Sequence, residues 1–377
     1  MVYHEQCRWF SGYKPCKYKR SCEACPHYKP VKTRIAIVSL EAMGAVLRST
    51  CLLEPLLRKF PGVHITWITL KQSKPLLANN HLIDRIICLG PDTAALLAHL
   101  EFDYVYGVDK SLEAGALVER LQAKKKWGFG LSPMGVIKPL TSHANYQYDV
   151  GLNDELKFFQ NQKPETQQIT ETMGLKWERD PYVLDLSADE IQDSQHRREM
   201  ILNHALESGG KEKSLGIIGY NTGCSVLFPY KKFTVERAIE TIHFWREKFP
   251  RHSVVLLGGR EDHERQEEMK AAFAEDPYVY NSPCQGGLRS GILWMNTSDV
   301  VFSGCSLGMH MAIGLGKKVV AWFGVSCIQE IDLYDRGVKL QSEVACSPCW
   351  KKSCDKDLKC FDQVSPQKIA DAIEGLL

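Results

Sequence analysis

Continuous aliphatic runs alternate along this chain with stretches whose apolar positions recur every three or four residues. RIAIVSL at 34–40 predicts a buried strand, and AVLRSTCLLEPLLRKF after it predicts a helix with Val46, Leu47, Leu53, Leu56, Leu57 and Phe60 on its apolar face. HITWITL, DRIICL, FDYVYGV and KKWGFGL read as further strands, with helices predicted at 74–79, 92–99 and 112–122. From Ser187 the alternation resumes: a charged helix, SLGIIGYNTGC, a loop and helix in PYKKFTVERAIETIHFWREKF, VVLLGG, and helices in EDHERQEEMKAAFA and GGLRSGILWMN. Repeated βα units of this kind predict parallel sheets with helices on both faces.

The stretch at 299–324, DVVFSGCSLGMHMAIGLGKKVVAWFG, is the sharpest local pattern. It reads as strand, tight turn at Ser303-Gly304, helix from about Ser306, and strand from Val319. Such a turn aims the free N–H groups and positive dipole end of the helix at one point, where a phosphate is the usual occupant. It has neither a Walker lysine nor GxGxxG, so it matches no P-loop or dinucleotide fingerprint.

Ligands of parallel sheets bind beyond the carboxyl ends of the strands. In the first half those ends are 39–44, 70–73 and 108–111, and Asp109 is the one carboxylate that immediately follows a strand there. The segment 131–180 breaks the pattern, with Pro133, Pro139, Pro164 and helical pieces at 144–152 and 166–175. It reads as a substrate-facing insertion or, alternatively, a solvated connector.

With 377 residues the chain suits two domains. Balanced charge (net +2) and an isolated Lys124–Lys126 run argue against nucleic acid. The absence of any apolar run of about 18 residues, and a polar N-terminus, predict a cytoplasmic protein.

Eight of the fourteen cysteines fall in two terminal groups: Cys7, Cys16, Cys22 and Cys25, and Cys346, Cys349, Cys354 and Cys360. Each contains a CxxC pair, whose spacing lets two thiolates reach one metal. Four thiolates suit structural zinc or a rubredoxin-like iron, and an iron–sulfur cluster is a further option. Disulfides and free thiols are the alternatives, the former disfavoured in a cytosol.

Taken in order, IAIVSLEAMGAVLRSTCLLEPLLRKFPGVHITWIT, IGYNTGC followed by KKFTVE, VVLLGG, SLGMHMAIGLGKKVVAWFG and the terminal CxPC before SPQKIADAI resemble the family nine glycosyltransferases. These heptosyltransferases move a heptose from ADP-heptose onto lipopolysaccharide core, some members glycosylate autotransporter proteins, and the cysteine-rich ends of this chain resemble a branch related to the latter. The resemblance covers about 34–377 and implies a GT-B fold: two Rossmann-like domains facing a cleft, at 31–180 (with the insertion 131–180, acceptor side) and 181–345 (nucleotide-sugar side). Cysteine-rich segments at 1–30 and 346–377 would flank them.

Carried over residue by residue, the resemblance implies a donor diphosphate held by Asn221, Thr222, Gly223 and the amides of Ser306, Leu307, Gly308 and Met309. Lys231 would neutralise the ADP leaving group, with Lys232 as the competing assignment and a solvated loop lysine as the plain one. His310 matches a histidine of the family motif, or is simply a packed one. Glu330 stands where a carboxylate could accept from a ribose, or is a first-turn helix acid.

The chain departs from the family in two places. Ala45 stands where an aspartate is taken as the base that deprotonates the acceptor, and Cys305 where an acid precedes the S-x-x-M-H segment. Asp109 is the expected substitute base and Glu41 the second choice, in a single inverting displacement without a catalytic metal; a helix N-cap is the structural alternative for Asp109. The expected partners are a nucleotide sugar, a glycolipid or protein acceptor, the inner membrane surface as a peripheral contact, and further copies of the chain. A different nucleotide sugar, or a non-catalytic binding protein of the same fold, are the other functional readings.

Overall fold

A computed structural model describes residues 2–224, 226–356 and 359–377. The chain forms two compact units, one of Met1–Leu152 and Thr166–Asp180, the other of Asn153–Glu165 and Pro181–Leu377.

The first unit carries strands β1 (Thr33–Val38), β2 (Val63–Thr69), β3 (Arg85–Cys88), β4 (Glu101–Gly107), β5 (Gln122–Leu131) and β6 (Ile137–Pro139), in the order β3-β2-β1-β4-β5-β6. All pairs are parallel except β5 with β6. Alternate residues enter opposite cores, Ile35, Ile37 and Trp67 on one face and Ala36, Val38 and Ile68 on the other. Burial of both faces is why these strands read as unbroken aliphatic runs.

The single helix expected after β1 is broken into Met43–Arg48, a 3-10 turn at Ser49–Leu52, and Leu53–Lys59. The Ser49 hydroxyl donates to the Ala45 carbonyl (2.7 Å) and Thr50 to that of Leu47 (2.7 Å), and such back-bonding bends helices. Likewise the helix expected at 74–79 is a 3-10 turn, Lys71–Ser73, running into Lys74–Leu77.

The segment 131–180 is divided between the units. The helix Glu165–Thr172 and its exit send Ile169, Met173 and Leu175 into the core around Trp67 and Trp127, and Asp180 pairs with Arg58 at 2.6 Å. The π-helical turn Leu156–Gln160 packs within the second unit, where the Gln329 amide donates to the Lys157 carbonyl (3.1 Å). The N-terminal cysteine segment is tied to the first unit by Arg8, which donates to Asp84 and to the Val63 carbonyl.

In the second unit β7 (Gly216–Asn221), β8 (His252–Leu257), β9 (Val279–Asn281), β10 (Val300–Gly304), β11 (Lys318–Phe323) and β12 (Gly337–Gln341) are all parallel, in the order β12-β11-β10-β7-β8-β9. An aromatic core fills one face: Trp245 lies 5.5 Å from Tyr220 and 5.4 Å from Phe302 between ring centroids. The last helix, Pro366–Glu374, adds Ile369 and Ile373 to this core.

Each sheet therefore has the same internal order, in which its first and fourth strands are neighbours and successive connections leave in opposite directions. These are the topological switch points, β1/β4 and β7/β10, and open α/β sheets bind ligands there.

Candidate functional site

At the first switch point Asp109 follows β4 and is only 7% exposed. Its carboxylate accepts the Leu40 and Glu41 N–H groups, the latter at 3.0 Å, and lies 3.5 Å from the Ser39 hydroxyl. These donors belong to the loop after β1, in which Ala42 takes a positive φ of 36°. Asp109 thus holds the loop after β1 in place. Burial pushes its carboxyl up to about 6, with the three donors pulling the other way and the Glu41 charge adding to the rise. The helix-cap alternative does not hold: Ser111 caps the following helix, Leu112–Arg120, by accepting from the Ala114 N–H (3.3 Å). Glu41 is exposed in the same loop, and Ala45 lies in the helix Met43–Arg48.

At the second switch point the Asn221 amide donates to the Ser303 and Ser306 hydroxyls and to the Gly223 carbonyl, each at 3.0 Å. Asn221 thereby ties the end of β7 to the turn that starts the helix Leu307–Gly314. A Cβ on Gly308 would stand 2.4 Å from the Asn221 Oδ1, so only glycine allows this approach. Ser306 sits at the N-cap without a side-chain hydrogen bond to the helix, which leaves the positive end of the helix beside Asn221. Thr222 is turned inward: its hydroxyl donates to the Leu257 carbonyl (3.0 Å) and accepts from Gln266 (3.2 Å).

The two lysines separate clearly. Lys232 reaches into the unit, 3.8 Å from buried Asp262, whose carboxyl is raised first by burial. Lys231 is seated beside the turn, with its carbonyl 2.0 Å from where a Cβ on Gly304 would be. Its ammonium lies 4.1 Å from the Trp350 ring centroid and 4.9 Å from that of Phe228. His310 is buried, with Nδ1 3.3 Å from the Tyr182 hydroxyl. Glu330 is buried in the turn Ile328–Glu330, 3.8 Å from Lys157. Burial raises the Cys305 thiol, and Lys231 opposes the shift. Asp262 and Trp350 were not anticipated from sequence; the one readable trace was the tryptophan directly after CxPC.

All fourteen cysteines are free of disulfides. Cys346, Cys349, Cys354 and Cys360 line one cavity, together with Tyr230, Gly324 and Val325. Burial, followed by the neighbouring Cys349 and Cys354 thiols, pushes Cys360 up to about 11. Among the described residues no three His, Cys, Asp or Glu side chains are already assembled as a group that could hold a metal ion. The C-terminal set suits a metal in donor type and number, and its four thiols share one cavity. In the N-terminal set Cys16, Cys22 and Cys25 sit at tight turns, with the Cys25 N–H on the Cys22 carbonyl (3.4 Å), and Cys7 bridges to Pro30.

No family model matches the chain, and no curated protein matches it. Solved structures do. A family 9 glycosyl transferase from Veillonella parvula has a TM-score of 0.66 at 17% identity, over 92% of this chain and 97% of that one. The Escherichia coli ADP-heptose lipopolysaccharide heptosyltransferase II also has a TM-score of 0.66, at 15% identity over 91% and 98%. The iron-containing dodecameric glycosyltransferase TibC of enterotoxigenic E. coli has 0.54, at 12% identity over 91% and 76%. With two six-stranded α/β units and this likeness over more than nine-tenths of its length, the chain has the GT-B fold of the family nine glycosyltransferases and heptosyltransferases.

Proposed function

We propose that the protein is an inverting glycosyltransferase that moves a heptose from ADP-heptose to a hydroxyl of a lipopolysaccharide core or protein acceptor. The observation that carries this reading is the second switch point, where a helix start meets Lys231, which has no acidic partner among the described residues, on a fold shared with ADP-heptose enzymes. Donor binding falls to the second unit: the Leu307, Gly308 and Met309 amides, Gly223 and Lys231 hold the diphosphate, with Ser306 and Asn221 shaping the turn and Glu330 near the ribose. His310 supports the helix from its buried side.

Acceptor chemistry falls to the first unit. The acceptor O–H gives its proton to ionised Asp109 while its oxygen attacks the anomeric carbon. The bond to ADP breaks with its electron pair going to the β-phosphate oxygen, where Lys231 and the helix amides meet the new charge. Glu41 is the alternative base. The cysteine groups hold structural zinc or iron, supplying rigidity rather than a step of transfer.

A second reading, a non-catalytic binding protein, is favoured by Ala45 alone, where the family base is missing. Thermal shift against ADP-, UDP- and GDP-sugars tests donor class: ligand at about 100 times its dissociation constant adds roughly 2.7 kcal/mol. Stabilisation by ADP-heptose alone is expected; equal stabilisation by UDP- or GDP-sugars overturns the donor assignment.

A further inference from the structure

We propose that Trp350 is a positioning residue for the donor diphosphate, its indole face fixing the Lys231 ammonium without neutralising it. The inference rests on Lys231 being a diphosphate ligand. Two ammonium groups lie over this one ring, Lys231 at 4.1 Å and Lys157 at 4.3 Å from its centroid. The Phe228 ring meets the indole edge-on at 5.4 Å and also lies under Lys231. An ammonium over an aromatic face is attracted by the ring quadrupole yet keeps its full charge. A carboxylate partner would cancel that charge, as Asp262 does for Lys232 and Glu330 for Lys157, each at 3.8 Å. A cation meant for an arriving anion is therefore better oriented by a ring than by an acid.

The backbone that carries the ring is pinned: the Trp350 main-chain N–H donates to the Val325 carbonyl at 2.8 Å, and the Cys349 main-chain N–H donates to the same carbonyl at 3.2 Å. Val325 lies two residues beyond β11, so the ring is referenced to the sheet that carries the switch point. Trp350 also takes a φ of 51°, which L residues rarely adopt and which the surrounding contacts must impose. The same segment grips the lysine loop from its other side, where the Cys360 thiol lies 3.9 Å from the Tyr230 carbonyl and the Phe361 ring stacks on Tyr230. Thus the cysteine-lined cavity and the phosphate lysine share one wall, and Trp350 transmits the position of that wall to Lys231.

Calorimetric binding of ADP and AMP to the full-length protein separates the possibilities. Trp350→Leu keeps apolar bulk but loses the π face, and Trp350→Phe keeps a face. We expect W350L to weaken ADP about 2- to 30-fold, W350F to restore most of it, AMP to change little, and W350L to add nothing in a Lys231→Ala background. Unchanged ADP affinity in W350L, equal losses for ADP and AMP, or full additivity with K231A would each overturn the proposal. Wild-type affinity for ADP in K231A alone would instead remove the reading of Lys231 on which it stands.

Discussion

In the mechanism we propose, Asp109 is the residue on which the chemistry turns. Its carboxyl must be ionised to accept a proton, and burial holds it at about 6. Activity governed by this group therefore falls as pH drops through about 6 and is flat above it. The expected pH–rate profile has an acid limb there, and Asp109→Asn lowers transfer about 100- to 10,000-fold while leaving ADP affinity unchanged. Unfolding follows the opposite sign: a carboxyl raised from 3.8 to about 6 by the fold contributes stability at low pH that is lost as pH rises through that window. Sequence alone placed Asp109 at a strand end. It could not reveal that its oxygens hold the Leu40 and Glu41 amides, because that contact joins residues far apart in the chain. Thr222 carries the reverse lesson, since its hydroxyl is spent on Leu257 and Gln266.

At the scale of elements, the long buried strands were legible because burial on both faces writes an unbroken aliphatic run. Three of the four edge strands were not. The three residues of β9, the partly exposed β12 and the Pro-bearing β6 are held by pairing to a neighbour rather than by their own pattern. The strand ends below Asp109 were equally hidden. Gly107 and Gly128 pair across β4 and β5. Gly128 has a φ of +84°, and a Cβ there would lie 2.1 Å from the Gly107 carbonyl oxygen. Gly128→Ala should cost at least about 1–3 kcal/mol, read as a melting temperature lower by several degrees, with activity falling further because β4 aims Asp109. An unchanged melting curve would show that the strands part freely there.

Across the whole molecule, the βα alternation and the family resemblance carried by the order of motifs pointed to the GT-B fold, and the likeness to solved glycosyltransferases bears that out. The metal assignment came from cysteine spacing; in the structure the C-terminal set shares a cavity, whereas among the described residues no three metal-binding side chains are already grouped. Elemental analysis of the intact protein should find metal that Cys349→Ser reduces, with a lower melting temperature; a metal-free wild type of unchanged stability would leave the thiols as plain cavity lining. The proposed ADP-heptose transferase with its base at Asp109 is tested most directly by ADP release from ADP-heptose, with and without lipopolysaccharide-core acceptor, in wild type and Asp109→Asn. We expect release by the wild type, stimulated by acceptor and lost in the variant. ADP-heptose bound but never turned over by the wild type, or released equally by both proteins, would contradict it.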